Sequence, residues 1–192
     1  MTQKQHVDMH RKLMLRKNLL HTKQGVFYVP FIGEGDIAVE LYSDAEIYGA
    51  DIEPDRVETA SGRLKGSIIT ADCNGWPFPG IENSFDVADF DSYSEPYQSF
   101  RCFWDKANKA DKMTLFFTDG QKQSIFRTAT WINPDGVKVK FDSITEQRKV
   151  GNFYFPKYIL PWFLEYIKPY RVKRKLFYLR GFMLYWGAVI EK

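Results

Sequence analysis

Residues 26–35 read VFYVPFIGEG, and this stretch decides the fold. Its first six residues are β-branched or aromatic apart from one proline, which is the composition of a β-strand. Gly33 and Gly35 then predict a tight turn, because glycine adopts backbone conformations that other residues avoid. Residues 37–42 (IAVELY) have helical character. The sequence therefore predicts a strand, a glycine-rich turn and a helix, in that order.

The same alternation continues along the chain. Further strands are predicted at residues 46–50, 67–70, 85–90 and 113–118, and helices at residues 54–64 and 97–110. A helix at residues 158–167 is expected to begin late because of Pro161. Two aromatic-rich runs, residues 172–179 and 182–190, then predict a terminal hairpin. We therefore predict an α/β fold with a mostly parallel sheet and a C-terminal antiparallel hairpin.

The length of the chain suits one domain. It has 192 residues, of which 44% are hydrophobic, so a packed core is expected and wholesale disorder is excluded. We predict a single domain over residues 1–192, with a basic N-terminal segment at residues 1–25. Residues 127–152 fall outside the strand and helix pattern and contain the turn signal Asn133-Pro-Asp-Gly136, which predicts a small insertion.

Positive charge gathers at the two ends of the chain, although the formal net charge is only +3. The basic residues at the ends are Lys4, Arg11, Lys12, Arg16, Lys17, Lys23, Lys168, Arg171, Lys173, Arg174, Lys175 and Arg180. Between residues 26 and 100 the chain is mainly acidic. This asymmetry predicts that the basic N- and C-terminal segments bind nucleic acid, while solvated faces are an equally good reading of a charge run.

Cysteine and histidine usage predicts the compartment and argues against a metal. Cys73 and Cys102 are too far apart for a CxxC motif and too few for a disulfide framework, so we expect a reducing cytoplasm. The apolar runs are too short for a membrane span, and the N-terminal segment lacks the core of a signal peptide. His6, His10 and His21 have no nearby acid or cysteine that would complete a metal site.

Acidic residues follow the predicted strands at the edge where ligands bind. Gly33 and Gly35 allow the backbone to approach a ligand closely. Asp51 ends the second predicted strand, where it would accept the ribose hydroxyls of a nucleotide, and Glu53 is the second choice for that contact. Asp72 follows the third strand and would accept an adenine amine. At this point NAD and S-adenosylmethionine are both possible ligands.

The glycine loop carries a resemblance to a known family. Residues 29–35 (VPFIGEG) are similar to the acid-Pro-Phe-x-Gly-x-Gly loop of class I S-adenosylmethionine-dependent methyltransferases that modify exocyclic amines of DNA and RNA bases, with Val29 in place of the acid. The resemblance implies a Rossmann-like methyltransferase sheet and S-adenosylmethionine as cofactor. Phe31 in this loop and Cys73, next to Asp72, complete the predicted cofactor-binding set.

A second motif follows the fourth predicted strand. Residues 89–96 (DFDSYSEP) resemble the Asp-x-Asp-Pro-Tyr-Gly-x-Pro stretch of tRNA guanine-N2 dimethyltransferases, which is related to the Asp-Pro-Pro-Tyr motif of DNA amino-methyltransferases. Ser92 replaces the first proline and Ser94 the glycine. The resemblance implies that Asp91, Ser92 and Tyr93 form the catalytic set, with Asp91 holding the hydrogens of the target amine and Tyr93 stacking on the base.

The sequence thus predicts an N-methyltransferase acting on a base of DNA or RNA. A target base would have to be flipped or single-stranded, because its amine is otherwise buried in the duplex. The basic ends, a homodimer or a partner subunit would supply specificity. Alternatives are a small-molecule or protein methyltransferase, a nicotinamide oxidoreductase, and a non-catalytic binding module that keeps the fold.

Overall fold

Seven strands form one sheet in the computed structural model, which describes residues 8–192. The strands of this sheet are β1 (Val26–Pro30), β2 (Glu46–Asp51), β3 (Gly66–Thr70), β4 (Ser84–Phe90), β5 (Asn108–Asp119), β8 (Arg171–Arg180) and β9 (Met183–Glu191). Their order is β3-β2-β1-β4-β5-β9-β8. The first five are parallel, and β9 runs antiparallel between β5 and β8. The predicted α/β sheet with a terminal antiparallel hairpin is confirmed.

Helices cover both faces of this sheet. They are α1 (Met9–Leu19), α2 (Asp36–Leu41), α3 (Pro54–Ser61), α4 (Tyr97–Lys106), α5 (Gln121–Thr128), α6 (Ile144–Asn152) and α7 (Leu160–Tyr166). Neighbouring residues of β1 belong to different apolar clusters: Phe27 and Val29 pack on one side, and Tyr28 packs on the other. Because both faces of the sheet are covered at β1, this strand is a continuous apolar run rather than an alternating one.

The predicted helix at residues 97–110 is too long. The helix α4 ends at Lys106, and β5 begins at Asn108, because this part of the chain pairs with the start of β4. Lys109 closes the helix end: its Nζ donates to the carbonyl oxygens of Trp104 at 2.6 Å and of Ala107 at 2.7 Å. A cation that bonds the last carbonyls of a helix ends it without a glycine.

The region between β5 and β8 is more ordered than the sequence indicated. The predicted insertion at residues 127–152 holds the hairpin of β6 (Thr130–Ile132) and β7 (Lys138–Lys140), followed by α6. The helix near Pro161 starts late in its α-helical part, as predicted. A π-helical segment, Tyr154–Ile159, precedes it and was not predicted.

Within the N-terminal segment, residues Met9–Leu19 form the helix α1, which packs against the sheet. Lys12, Leu15, Arg16 and Leu19 are the buried residues of α1, at the spacing of one helix face. This helix packs on β8, β9 and α2. Lys4 and His6 lie outside the described residues. Among the described residues, no helix has the length and apolar character needed to cross a membrane.

Candidate functional site

The loop after β1 is shaped for close approach of a ligand. Phe31, Gly33 and Gly35 have positive φ values of 60°, 56° and 83°. A Cβ atom on Gly33 would meet nothing within 4 Å, so the backbone there faces open space. A Cβ on Gly35 would lie 3.0 Å from Cδ1 of Leu64. Gly35 is therefore needed for packing, whereas Gly33 leaves room above the loop.

Asp51 is held in a defined orientation beneath this loop. Its Oδ2 accepts a hydrogen bond from the Gly33 amide at 2.9 Å, and its Oδ1 accepts one from the Glu53 amide at 3.1 Å. Each carboxylate oxygen keeps further acceptor capacity. Glu53 differs, because its exposed side chain forms an ion pair with Arg56 at 3.1 Å. Of the two predicted ribose ligands, Asp51 is the one that the fold orients.

Asp72 and Cys73 follow β3 and point in different directions. Asp72 is exposed, and its Oδ1 accepts from the Asn74 amide at 2.9 Å, which forms a local turn. The thiol of Cys73 is buried below the loop, where it accepts from the Phe31 amide at 3.2 Å and donates to the Ala50 carbonyl at 3.3 Å. Burial raises the pKa of this thiol to about 11. Cys73 thus supports the loop with a neutral side chain.

The acids at the end of β4 are ion-paired with the N-terminal helix. Two side-chain nitrogens of Arg16, Nε and Nη2, donate to Asp89, at 2.6 and 2.5 Å, and Asp89 also accepts from the Tyr42 hydroxyl at 2.7 Å. Lys12 Nζ lies 2.7 Å from Oδ1 and 2.8 Å from Oδ2 of Asp91. Although burial opposes it, the charges of Arg16 and Lys12 lower the pKa of Asp91. Asp91 is therefore an ionised acceptor with two cations beside it.

The two residues after Asp91, Ser92 and Tyr93, differ in solvent exposure. Ser92 is buried, and its Oγ accepts from the Ser94 amide at 3.2 Å. Tyr93 is 67% exposed, and Lys12 Nζ lies 5.6 Å from the centre of its ring. Partial burial and the charges of Asp91 and Asp51 raise the pKa of Tyr93.

Several basic residues of the chain ends form ion pairs within the protein. Lys12 and Arg16 are buried, as described above. Ion pairs at the surface join Lys17 with Glu40, Lys168 with Glu165, Lys173 with Glu191 and Arg180 with Asp8. The prediction that the basic segments bind nucleic acid stays a prediction. Arg11, Lys23, Arg171 and Lys175 remain exposed and form no ion pair within residues 8–192.

A buried polar network below the β4 loop was not predicted from the sequence. Asp119 at the end of β5 accepts from the hydroxyls of Tyr97 at 2.6 Å and Tyr154 at 2.8 Å. Burial raises the pKa of Asp119 to about 6. Glu95 accepts from the Tyr97 and Gln98 amides at the start of α4, and burial raises its pKa to about 7. The only signal in the sequence was Asp119-Gly120 at a strand end.

Comparisons with known proteins give structural neighbours without sequence relatives. No protein-family profile matches the chain, and no curated protein does. The plantazolicin methyltransferase BpumL, solved with a desmethylPZN analogue and SAH, is similar with a TM-score of 0.57 at 11% identity, over 95% of this chain and 82% of BpumL. The magnesium protoporphyrin IX methyltransferase ChlM of Synechocystis PCC 6803, also with SAH, has a TM-score of 0.52 at 12% identity, over 88% and 74% of the two chains.

These likenesses define the fold and leave the chemistry open. The sheet order and the reversed strand β9 match the Rossmann-like class I methyltransferase fold. The same fold occurs in the [4+2]-cyclase SpnF, which has a TM-score of 0.52 at 12% identity, over 95% of this chain and 80% of SpnF. A shared fold therefore does not name the reaction, which must be argued from the site.

Proposed function

We propose that this protein binds S-adenosylmethionine and transfers its methyl group. The observation that carries the proposal is the open backbone of Gly33 directly above the oriented carboxylate of Asp51. Both lie next to the switch point between β1 and β4, where the strand order reverses and where ligands of open α/β sheets bind. In four of the similar solved structures, three of BpumL and one of ChlM, SAH is bound to the same fold.

The described residues provide a contact for each part of such a cofactor. Gly33 and Gly35 would approach the methionine and ribose parts, and the remaining acceptor positions of Asp51 would bind the ribose hydroxyls. The exposed carboxylate of Asp72 would accept the exocyclic amine of the adenine. The cofactor would supply an electrophilic methyl group at a sulfonium centre. The side chain of Cys73 would act indirectly, by holding Phe31 in its positive-φ conformation.

The acceptor is proposed to be an exocyclic amine of a DNA or RNA base. Asp91 stands at the end of β4, beside the switch point, and its side chain is 17% exposed. Because nearby cations keep it ionised, Asp91 would hold and orient the hydrogens of the amine rather than take up a proton. The proton released after methyl transfer would pass to solvent. Lys12 occupies one side of the carboxylate and would restrict the direction of approach.

The exposed ring of Tyr93 supports the proposal that the methyl acceptor is planar. Its ring is two-thirds exposed beside Asp91, so a base that is flipped or single-stranded would stack on it while its amine reaches the carboxylate. The exposed cations that form no ion pair within residues 8–192, Arg11 and Lys23 near the N-terminus and Arg171 at the start of β8, would contribute phosphate contacts. Small-molecule and protein acceptors would share the cofactor half of the site.

Calorimetric titration tests the cofactor proposal directly. We expect S-adenosylhomocysteine to bind the wild-type protein, and Asp51→Ala to weaken this binding at least 30-fold, about 2 kcal/mol, through loss of the ribose contacts. Asp44→Ala is the matched control, because Asp44 is an exposed acid before β2, at the opposite edge of the sheet. Binding of NAD instead, or equal affinity in both variants, would overturn the proposal.

Transfer of a labelled methyl group tests the acceptor. The wild-type protein, Asp91→Asn and Tyr93→Ala would be incubated with labelled S-adenosylmethionine and mixed DNA and RNA. We expect label in nucleic acid only with the wild-type protein, and normal S-adenosylhomocysteine affinity in all three. Cofactor binding without transfer to nucleic acid would refute the base acceptor and leave a small-molecule or protein methyltransferase or a non-catalytic module.

A further inference from the structure

An apolar groove lies beside β8, the strand at one end of the sheet. The residues proposed to bind the cofactor follow β1, β2 and β3, toward the other end of the strand order. Lys175, Phe177 and Leu179 alternate along β8, so their side chains share one face of the strand. The facing wall is built by the π-helical segment and the start of α7. The groove encloses about 250 Å³, and its apolar wall residues are Tyr154, Phe155, Pro156 and Leu160.

Large apolar side chains remain exposed along this groove. Phe177 is 50% exposed and Leu179 is 48% exposed, although the ring of Phe177 packs 4.9 Å from that of Phe155. Phe182, at the tip of the β8–β9 hairpin, is 36% exposed and lies outside the groove, where its ring centre is 5.6 Å from that of Phe126. Scattered apolar residues need no explanation, but a continuous patch around a groove indicates a binding surface.

The edge of the sheet beside this groove is unpaired. In the described part of the chain, β8 is a terminal strand of ten residues that pairs only with β9. A long edge strand presents a row of free backbone donors and acceptors to another strand. Its other face is covered, because Leu176 and Tyr178 pack against the cluster that contains α1. An added strand would therefore project side chains into the groove on the Phe177 face.

Charge decides which strand fits. The sequence of β8, RVKRKLFYLR, contains five cations and no acid. Lys175 lies on the groove and Lys122 lies on the facing rim, and among the described residues no acid lines the groove. A second copy of β8 would bring cations opposite cations, which destabilises strand pairs. An acidic strand would instead form cross-strand charge pairs.

We propose that the edge of β8 and this groove bind an extended segment of a partner protein in which acidic and large apolar residues alternate. The segment adds an eighth strand to the sheet. Its apolar side chains continue the row of Phe177 and Leu179 and fill the groove, while its acids meet Lys175 and Lys122. This surface is separate from the residues proposed to bind the cofactor and does not depend on methyl transfer.

Fluorescence anisotropy with a labelled peptide tests the proposal on the full chain. The probe is a capped nine-residue peptide of alternating glutamate and leucine or phenylalanine. We expect it to bind, and Lys175→Glu to weaken binding at least tenfold. Lys140→Glu is the matched control, since Lys140 is an exposed strand lysine with the same charge change away from the groove. Circular dichroism checks that each variant is folded.

Two further probes separate strand addition from general attraction. The same peptide with alternate backbone amides methylated keeps its charge but cannot pair with the edge, so we expect at least tenfold weaker binding. A peptide with lysine in place of glutamate should not bind at 1 mM. The proposal is overturned by equal binding of both variants or of the methylated peptide, by no binding of the acidic peptide, or by sedimentation of the protein as a dimer that Phe177→Ala dissociates.

Discussion

The two halves of the sheet's carboxyl edge use their acids in opposite ways. In the half formed by β1 to β3, Asp51 and Asp72 accept hydrogen bonds from backbone amides, and neither forms an ion pair within residues 8–192. In the half formed by β4 and β5, Asp89 is buried against Arg16, and Asp91 is paired with Lys12. The acids after β2 and β3 are thus bonded to the backbone, whereas the two acids at the end of β4 are paired with cations of α1.

This difference shows that the position of an acid at a strand end does not determine whether a ligand can reach it. A strand-end carboxylate that a cation from the same chain occupies is less open to a ligand than one bonded to backbone amides. In this protein α1 brings Lys12 and Arg16 to β4, whereas nothing comparable reaches β2 or β3 in residues 8–192. Under the proposed function we therefore expect the first half to bind the cofactor, and Lys12 and Arg16 to add stability and restrict access to Asp91.

The largest expected effect is on stability and comes from Arg16→Met. This substitution leaves the Asp89 carboxylate buried without its counter-ion, so we expect the free energy of unfolding to fall by about 3–5 kcal/mol. Urea denaturation measures the loss. Lys17→Met is the matched control, because Lys17 is the next residue of α1 but its pair with Glu40 is exposed, and we expect less than about 1 kcal/mol. Equal losses in the two variants would contradict the structural role of the buried pair.

The next effect is a pH dependence due to Asp119. Burial raises its pKa from the usual 3.8 to about 6, so the folded state binds this proton more tightly than the unfolded state does. Below about pH 4 Asp119 is protonated in both states and does not lower the free energy of unfolding. As the pH rises through 6, its ionisation lowers the free energy of unfolding by up to about 3 kcal/mol. Asp119→Asn cannot titrate.

Urea denaturation of wild type and Asp119→Asn from pH 4 to pH 7 checks this sign. The difference in unfolding free energy, wild type minus variant, should fall as the pH rises. Glu95 titrates in the same range, and the charge of Asp119 contributes to its raised pKa, so the difference reports Asp119 together with its effect on Glu95. A difference that rises with pH would mean that the Tyr97 and Tyr154 hydroxyls favour the ionised form of Asp119 by more than burial opposes it.

Lys12→Met is expected to have the smallest effect on stability, and it tests whether the two halves act separately. Among the described residues, Asp91 then keeps only Arg16 as a counter-ion, with 3.9 Å between Nη2 of Arg16 and Oδ1 of Asp91. We therefore expect the free energy of unfolding to fall by about 1–2 kcal/mol. The affinity for S-adenosylhomocysteine should change less than threefold, in contrast to Asp51→Ala. Calorimetry and urea denaturation measure the two quantities. A large loss of affinity would show that the two halves are not separate.

Much of the cofactor half could be predicted because its signals are local. A strand, Gly33 and Gly35, and an acid at the end of the next strand are adjacent in the sequence, and the order of elements places them together. Local signals predicted that α4 would end at residue 110, whereas it ends at Lys106. The pairing of Asn108 with β4 and the hydrogen bonds of Lys109 determine where the helix ends. Local signals also missed the π-helical segment and the insertion's helix, which pack against distant residues.

The acceptor half could not be predicted in the same way. Arg16 and Asp89 are 73 residues apart, and Lys12 and Asp91 are 79 apart, so no local pattern connects them. Within α1 the cations stand at core spacing with Leu15 and Leu19, yet a basic helix in isolation has no reason to turn its charges inward. Only the acids of β4 make that orientation favourable.

The sequence by itself determined the order of strands and helices, the glycine loop and the acids that follow it, because backbone conformation and strand alternation are set by neighbouring residues. Which of those acids are paired with cations was decided by tertiary structure, since that depends on what packs beside them. Tertiary structure also decided that the basic N-terminal segment is partly a structural element and that β8 ends the sheet with an open, cationic edge. Long-range packing and charge pairing are the physical reasons for both outcomes.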